Sequence, residues 1–560
     1  MLNRQFIPKG PDSAQQFPGL RKDGDGDTQI EKRAGTLPGD ALGRVYCGAI
    51  RPTTSSTEAL MAGKLDTKIQ ARLPRRTPCA MTAAALVLAG CASMAPPYAA
   101  PALSVASRYA TDAAQEGPVA ARIIGWRDYF TDPRLQELIA QALENNRDLR
   151  TAVLRVAEAR AAYGIQRAEQ FPSIGAQAGM DRSRVPAELN LTGQSLLGSQ
   201  YQVAMGLASW EIDFWGRVRS LQDAALENYL ATDAARRAVT IGLVAQVANG
   251  YLALRELDER IALAHQTTAS REESLRIFTR RVEVGATSRL NLTQVQTLLT
   301  QAQTLGAQLE QARALQSNAL TLLVGAPLDL APATERLDER QMLPSLQTGL
   351  PSDLLVQRPD IVAAEHQLKA AHAAIGAARA AFFPRIALTG TFGTASAELD
   401  GLFASGSRAW IFSPGISVPL FDGGRRSNNL SLAEARRDLA VANYEKTIQS
   451  AFRDVSDALA ARQWLARQVS IAQTALTAQT ERARLSQLRY DNGSAAYLEV
   501  LDAQRDLLAA EQQLVQTRRA LLSSHVSLYA ALGGGSLEPA TAEAAPAPSA
   551  HQAPEHTKTP

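Results

Sequence analysis

The side chains that most often carry out chemistry in enzymes are few in this sequence and poorly spaced for catalysis. No His-Glu-x-x-His motif and no cysteine-rich metal spacing occurs around the six histidines, at positions 265, 366, 372, 525, 551 and 556. The glycine-containing segment 421–426 lacks the Gly-Lys-Ser/Thr sequence that a phosphate-binding loop requires. Glu499 and Asp502 lie on a long helical segment, where charged side chains usually form a solvated face. The sequence therefore predicts no enzyme activity, no metal site and no cofactor.

Cys91 is the side chain with a definite predicted chemistry. Five basic residues precede a short apolar stretch over 79–89, which leads directly into a Leu-Ala-Gly-Cys sequence. A basic start, an apolar core and small residues at the cleavage point predict a signal peptide over 61–90. The ending resembles the lipobox of bacterial lipoproteins, which implies a covalent lipid on Cys91 and a lipid-anchored segment over 91–129. A short buried helix is the alternative interpretation.

Charge separates the first ninety residues from the rest of the chain. Residues 1–90 carry 13 Lys and Arg against 8 Asp and Glu, and the remainder carries 45 against 47. Residues 1–60 are rich in Gly, Pro, Asp, Ser and Thr, so we expect a disordered or non-native extension before a start near Met61. The balance of 58 basic and 55 acidic residues in the whole chain gives no sign of a nucleic-acid-binding protein.

One pattern of residues occurs twice after Cys91. The sequence Ala-Ala-x-Gly-x-x-Arg-Ala-x-x-Phe-Pro-x-Ile is found at 161–174 and again at 373–386. Nine residues between Gly285 and Gly325 recur unchanged 208 positions later. These matches predict an internal tandem duplication. The predicted segments are the copies at 130–325 and 352–533, a linker at 326–351 and a disordered tail at 534–560.

Each copy has the pattern of a helix, two strands and two long helices. In the first copy, the first helix is predicted over about 134–169 and ends before Pro172. Alternating apolar residues then predict two strands in each copy, separated by polar loops at 183–199 and 395–408. The alternation slips after Leu207 in a way that is typical of a β-bulge.

A very long helix is predicted over about 217–283, because this stretch has no proline and keeps an apolar seven-residue repeat. Such a helix would be roughly 100 Å long at 1.5 Å per residue, far more than a globular core needs. The strands are long enough to cross a bilayer when they are tilted. Four strands cannot close their edges in lipid, whereas three copies of the chain would provide about twelve strands. The sequence therefore predicts a trimer.

Four further motifs complete the pattern. They are Trp126-Arg127-Asp128-Tyr129-Phe130-Thr131-Asp132-Pro133, Gln357-Arg358-Pro359-Asp360-Ile361, Val418-Pro419-Leu420-Phe421-Asp422-Gly423-Gly424 and Ala531-Leu532-Gly533-Gly534-Gly535. Together with the lipobox and the order of elements, they resemble the TolC/OprM family, specifically the outer-membrane lipoprotein factors of RND-type efflux systems. The resemblance implies a TolC-like fold that is mainly α with a membrane β-barrel part. That fold is a trimeric twelve-stranded barrel, with four strands per chain, continued by a long periplasmic α-helical coiled-coil barrel.

The function implied by this resemblance is that of the outer-membrane channel of a tripartite efflux pump. Such a channel is a passive, gated duct that exports drugs or other small molecules. Its partners would be two further copies of the chain, a periplasmic adaptor protein, an inner-membrane RND-type pump and outer-membrane lipid, but no nucleic acid. The alternative is a periplasmic adaptor or a structural coiled-coil protein of an envelope transport system. Adaptors carry one helical hairpin, whereas this sequence predicts two.

The same resemblance implies roles for residues at the two helix–helix turns. Gly285 and Gly493 would form the turns at the periplasmic tip, where the closed pore narrows. Just after the second turn, Leu498 stands at the position of the hydrophobic plug of the family.

The resemblance also implies an acidic ring around the pore. Glu499 and Asp502 would form this ring, with Arg505 placed to pair with them. A three-fold axis would bring three copies of each carboxylate together, and such rings attract cations. The first copy of the duplication has Asn291 and Gln294 at the corresponding positions, so only the second copy can form the ring.

Overall fold

The computed structural model describes residues 94–102, 105–106, 109, 124–333, 336, 346 and 358–536. Cys91, the predicted signal peptide and the N-terminal extension lie outside the described residues. Most of the predicted linker and tail also lie outside them.

In the described part of the chain, eight α-helices and four β-strands follow one another in an order that is similar in the two halves. The elements of the first half are α1 (Trp126–Tyr129), α2 (Pro133–Asn145), α3 (Arg147–Ala168), β1 (Ile174–Val185), β2 (Leu196–Ile212), α4 (Arg217–Glu283) and α5 (Arg289–Val324). Those of the second half are α6 (Pro359–Ala380), β3 (Arg385–Ser396), β4 (Arg408–Ser417), α7 (Arg425–Asp491) and α8 (Tyr497–Ala531). Helices α4 and α7 have 67 residues each.

The helix predicted over 134–169 is interrupted, and this part of the prediction is wrong. Asn146 has an extended backbone with ψ of 130° and separates α2 from α3. Its side-chain oxygen accepts a hydrogen bond from the Leu149 N–H at 2.8 Å, and its amide donates to the Leu323 carbonyl at 2.7 Å. Asn146 therefore caps α3 and fixes its start to the end of α5. These two hydrogen bonds compensate for the helical hydrogen bonds that are lost at the interruption.

The four strands form one antiparallel sheet in the order β1-β2-β3-β4. The two faces of this sheet differ in polarity. On β4, Trp410, Phe412 and Ile416 lie on one face and are exposed. Ser413 and Ser417 lie on the opposite face. We call the first face the apolar face and the second the polar face; paired residues of neighbouring strands share a face.

A register shift interrupts the pairing of β2 with β3 between Leu207 and Trp210. Ser209 has a φ of 26° at this point. The β-bulge predicted from the slip in alternation is therefore confirmed. The shift returns Trp210 and Ile212 to the apolar face, opposite Leu388 and Ile386.

The long helices pack in the way that their seven-residue repeats predict. Helix α4 packs against α5 of its own half and against α6 and α8 of the other half. Val247 and Leu254 of α4 are buried, as are Leu514 and Leu521 of α8. Val247 and Leu254 belong to a larger core that also includes the stacked rings of Tyr129 and Tyr529, 4.3 Å apart, whereas Leu514 and Leu521 form a separate cluster with Val469 of α7. Packing of whole helix faces, rather than helix propensity, stabilises helices of this length.

Arg358 links three helices near the start of the second half. Its guanidinium forms ion pairs with Asp360 of α6 at 2.7 Å and with Asp454 of α7 at 3.1 Å. It also donates to the carbonyl of Ala531, at the end of α8. The motif that contains Arg358 therefore fixes the start of α6 against the second helical hairpin.

The helices of the described residues lack the long apolar stretch that a membrane-spanning helix needs.

Candidate functional site

The two helical hairpins end in turns with the same backbone geometry. We call α4 with α5 the first hairpin and α7 with α8 the second hairpin. Gly285 has a φ of 75° and Gly493 a φ of 71°, a region that favours glycine because it has no Cβ. In the first turn, the N–H of Ala286 donates to the Arg281 carbonyl at 2.7 Å. In the second, the N–H of Ser494 donates to the Arg489 carbonyl at 2.8 Å. Each turn is a Schellman motif that satisfies the last carbonyls of a 67-residue helix.

Leu498 and Asp502 lie one helical turn apart on the first two turns of α8. The side chain of Leu498 is 48% exposed in the single chain. Single exposed apolar side chains are common on protein surfaces, so this exposure makes Leu498 accessible but does not by itself assign it a role. The structure thus brings the predicted plug residue and one predicted acidic residue together on the surface of the second hairpin.

The pairing predicted for Arg505 is only half right. Arg505 forms an ion pair with Asp502 at 3.3 Å, but its second partner is Asp506, at 3.1 Å, and not Glu499. Glu499 instead pairs at 2.5 Å with Arg489, which lies on the last turn of α7. The reason is geometric, because the hairpin turn places Arg489 directly across from Glu499, whereas Arg505 lies almost two helical turns further along α8.

An aromatic cluster joins the two hairpins, and the sequence analysis missed it. We call Phe278, Arg281, Tyr490 and Tyr497 the aromatic joint. The Tyr497 ring lies 4.4 Å from that of Phe278 and 4.9 Å from that of Tyr490. Arg281 lies over both Phe278 and Tyr490 and donates a hydrogen bond to the Tyr490 hydroxyl. Tyr497 also donates to the Ser274 hydroxyl at 2.9 Å. The joint therefore holds the end of α4 against the second turn.

A signal for this cluster was present in the duplication. Tyr490 and Tyr497 stand in the second copy where Val282 and Arg289 stand in the first. Two tyrosines that replace non-aromatic residues are notable in a chain with 5% aromatic residues. The duplication could not reveal their contacts with Phe278, Arg281 and Ser274, because those contacts run between the copies rather than within one.

Arg271 is a buried cation in α4, near the aromatic joint. Its side chain is 3% exposed, and its Nη1 atom has no hydrogen-bond partner among the described residues. Burial lowers the pKa of its guanidinium, and the nearby Tyr497 acts in the opposite direction. A buried guanidinium with an unsatisfied N–H group is unfavourable for the stability of the packing around it.

A second buried charge cluster, further from the turns, is fully paired. Glu256 of α4 accepts hydrogen bonds from Arg260 at 3.0 Å and from Arg519 of α8 at 2.8 Å. Gln512 of α8 accepts from the same Arg260 at 2.5 Å. These contacts fix the register between α4 and α8, so the two hairpins are held together both at their turns and along their length.

No group of His, Cys, Asp or Glu side chains within the described ranges is arranged to hold a metal ion. The chemistry at the turns is therefore that of charged and apolar side chains on long helices. Together with a four-stranded sheet that has one exposed apolar face, this arrangement defines a membrane channel protein with long helical extensions. The model of the outer membrane efflux protein family matches residues 138–326 and 350–534, so the chain belongs to this family.

Named relatives agree with this membership. The solvent efflux pump outer membrane protein SrpC of Pseudomonas putida is 45% identical over 459 residues, which are 81% of this chain and 97% of SrpC. A membrane protein of Pseudomonas aeruginosa, known from a crystal structure, is 42% identical with a TM-score of 0.75, over 79% of this chain and 98% of that one. The open state of the MtrE outer membrane channel of Neisseria gonorrhoeae is 38% identical with a TM-score of 0.72. The match covers 79% of this chain and 98% of the MtrE chain.

These comparisons confirm the predicted family, its TolC-like fold and its location. The chain is an outer-membrane component of an efflux system, and it has a periplasmic part. Its family consists of channel-forming proteins. The match favours the channel over the two alternatives, a periplasmic adaptor and a structural coiled-coil protein.

Proposed function

We propose that three copies of this chain form a passive, gated duct across the outer membrane. The observation that carries this proposal is the sheet, in which β1 and β4 are outer strands paired on one side only. In lipid, unpaired backbone N–H and C=O groups are very unfavourable, and a strand edge must find a partner. Three four-stranded sheets, with β4 of one copy beside β1 of the next, would close a barrel of about twelve strands, within the range of known barrels.

The polarity of the sheet supports the same arrangement. With Trp410, Phe412 and Ile416 towards lipid, the polar face with Ser413 and Ser417 lines the interior. A barrel that is apolar outside and polar inside is a water-filled channel. The long helices then continue this channel into the periplasm.

The second hairpin supplies the gate in this proposal. Around a three-fold axis, three Leu498 side chains form an apolar constriction, and three copies of Glu499 and Asp502 form an acidic ring. An apolar constriction closes a pore by excluding water, and a carboxylate ring favours cations. Arg489 and Arg505 balance part of this charge within each chain.

The tripartite assembly extends the proposal to its partners. The turns at Gly285 and Gly493 form the periplasmic tip, where a periplasmic adaptor docks and links the channel to an inner-membrane RND-type pump. The pump provides the energy, so the channel itself catalyses no reaction. The exported compounds are drugs or other small molecules; SrpC, by its name, serves solvent efflux. A lipid on Cys91 anchors the mature chain to the outer membrane.

Native mass spectrometry of the detergent-purified protein tests this proposal. We expect a trimer whose chains each begin at a lipidated Cys91, and we expect the adaptor and the pump to co-purify with a tagged channel. Individual chains without trimer, while the strands remain inserted in the membrane, would contradict the duct. Chains that retain residues 1–60 would contradict the lipid anchor but not the trimer.

A further inference from the structure

Positive charge interrupts the apolar face of the sheet at one end. On β1, Arg182 and Arg184 follow Met180 on this face, and on β4, Arg408 precedes Trp410. Among the described residues of the four strands, these three arginines are the only charged side chains on the apolar face. We call Arg182, Arg184 and Arg408 the arginine edge.

The strand register places the arginines of β1 and β4 on the same face. Arg408 pairs with Thr394 of β3, and Thr394 pairs with Val203 of β2. Val203 pairs with Ala178 of β1, and Arg182 lies four residues further along that strand. Paired residues share a face, as do residues an even number apart on one strand. The arginine edge therefore belongs to the face that meets lipid in the proposed barrel.

Acidic side chains are absent from the same face of the described strands. The other charged residues of the strands lie on the polar face, and they are Asp181, Glu211 and Arg385. The acidic residues Glu188, Glu398 and Asp400 lie in the loops beyond the strand ends. The three arginines are exposed, and none of them forms an ion pair within the part of the chain that the structure describes. The arginine edge is thus available to an anion.

The arginine edge lies at the outer boundary of the membrane. β1 ends and β4 begins at the loops between strands, whereas the long helices start from the other end of the sheet. Trp410, the next residue after Arg408 on the apolar face, is 70% exposed. Tryptophan rings on membrane barrels lie at the level of the lipid headgroups. The three arginines therefore face the headgroups of the outer leaflet.

The arginines lie on the two outer strands of the sheet. The inner strands β2 and β3 have Ser199 and Thr394 directly opposite Arg182 and Arg408. In the proposed trimer, β4 of one copy lies beside β1 of the next. Arg408 of one copy then lies at the same seam as Arg182 and Arg184 of its neighbour. Like charges repel, so an anion with more than one negative charge stabilises this seam by binding between them.

A cavity of about 680 Å³ adjoins the seam. It is lined by Arg184 and by residues of the loop between β1 and β2, among them Gln194 and Ser195. Amide and hydroxyl groups can hydrogen-bond the hydroxyls of a sugar, and arginine binds phosphate through parallel N–H groups. Leu197, opposite Arg184 on β2, is 59% exposed and adds apolar surface. The seam therefore offers partners for a phosphate, a sugar and an acyl chain.

We propose that the seam between two copies binds a phosphorylated glycolipid of the outer leaflet, of the lipid A class. This proposal rests on the proposed trimer. The phosphates lie between Arg408 of one copy and Arg182 and Arg184 of the next, the sugar enters the cavity, and the acyl chains lie along the apolar face. The lipid bridges two copies, and each trimer has three such sites. Free inorganic phosphate would use the arginines but leave the cavity and the apolar surface uncovered.

Native mass spectrometry with added lipid tests this site on the full-length purified protein. Bisphosphorylated lipid A is the probe, and monophosphorylated lipid A with the same acyl chains is the comparison. We expect wild type to bind the bisphosphorylated form about tenfold more tightly, and Arg184→Gln and Arg408→Gln each to weaken this binding about fivefold. Arg425→Gln changes an exposed arginine at the opposite end of the sheet, so it is the matched control and should bind as wild type does.

Three results would overturn the proposal. The first is equal binding of the two lipids by wild type. The second is unchanged lipid A binding by the Arg184→Gln/Arg408→Gln double variant. The third is full displacement of the lipid by millimolar inorganic phosphate, which would make this a site for soluble anions. The same spectra report the oligomeric state, so failure of the lipid site is distinguishable from failure of the trimer.

Discussion

The two hairpins have almost the same backbone at their turns and very different side chains. Both turns have a glycine with positive φ and the same pair of hydrogen bonds. In the first hairpin, Ser288 caps α5 by accepting from the Asn291 N–H, and neutral Asn291 and Gln294 follow. In the second, no side chain caps α8, and Glu499 and Asp502 form ion pairs instead. The backbone and the glycine are therefore enough to make the turn, which leaves the surrounding side chains free for other roles.

The difference indicates a division of roles between the hairpins. The first hairpin has a turn stabilised by its own side chains and provides Phe278 and Arg281 as a surface for packing. The second provides Tyr490 and Tyr497 to the aromatic joint and also carries the exposed acidic residues. The first hairpin thus supports the turn of the second hairpin, and the second hairpin carries the proposed gate.

Removal of Tyr497 should have the largest effect on this arrangement. Tyr497→Ala removes ring contacts with Phe278 and Tyr490 and the hydrogen bond to Ser274. We expect a loss of about 3 kcal/mol in stability, because a partly buried ring loses both aromatic contacts and its hydrogen bond. Far-UV circular dichroism during heating measures the loss, and planar-bilayer conductance should rise as the second turn loosens.

The matched control is Arg289→Ala, which changes the corresponding exposed position of the first hairpin. It should leave both the melting temperature and the conductance unchanged. Equal effects of the two variants would show that the hairpins are equivalent and would contradict the division of roles.

The second hairpin should also make the protein sensitive to acid. Burial, together with the smaller effect of the nearby positive charge of Arg462, lowers the pKa of His525 in α8 to about 4. As the pH falls below about 6.5, the unfolded chain takes up this proton first, so stability is lost progressively until the pH reaches about 4. At pH 5, the expected loss from this histidine is about 2 kcal/mol.

His525→Gln isolates this effect, because glutamine stays neutral. The difference in melting temperature between pH 7.5 and pH 5 should be smaller in the variant than in wild type. The corresponding position of the first hairpin is Ser317, which cannot titrate in this range. An unchanged acid sensitivity in His525→Gln would mean that other groups cause it.

Substitution of Arg271 in the first hairpin should have a smaller effect, and it should increase stability rather than decrease it. Arg271→Met replaces a buried, incompletely bonded cation with an apolar side chain of similar length. We expect stability to increase by about 1 kcal/mol, because the unfavourable burial of charge is removed. Gln479, the corresponding residue of the second hairpin, accepts a hydrogen bond from Arg482, so Gln479→Met should give no increase. A lower melting temperature for Arg271→Met would show that the guanidinium has a stabilising partner in the assembled protein.

Local sequence signals predicted the long elements well. Helix α4 was predicted over 217–283, as observed, because glycines mark both of its ends and no proline interrupts it. The β-bulge after Leu207 was visible because alternation has a strict period of two. The break at Asn146 was missed, although an asparagine can cap a helix, because its second partner at Leu323 is 177 residues away.

Contacts between the halves could not be read from the sequence. The hydrogen bond between Arg281 and Tyr490 spans 209 residues, and it depends on which faces of α4, α7 and α8 meet. The exchange of partners by Glu499, from the predicted Arg505 to Arg489, has a local origin instead, because the turn brings the end of α7 beside the start of α8. The proposed pore roles of Leu498, Glu499, Asp502 and Arg505 depend on neighbouring copies as well, and they remain predictions.

Planar-bilayer recording of four single variants tests the central claim, that only the second hairpin carries the gate. Leu498→Ala and Asp502→Ala change the second hairpin, and Leu290→Ala and Gln294→Ala change the corresponding positions of the first. Leu290 is exposed like Leu498, which makes it a close control. We predict about twofold higher conductance for Leu498→Ala and weaker cation selectivity for Asp502→Ala, with both first-hairpin variants like wild type. Equal changes at the two hairpins, or wild-type conductance and selectivity in all four variants, would contradict the account.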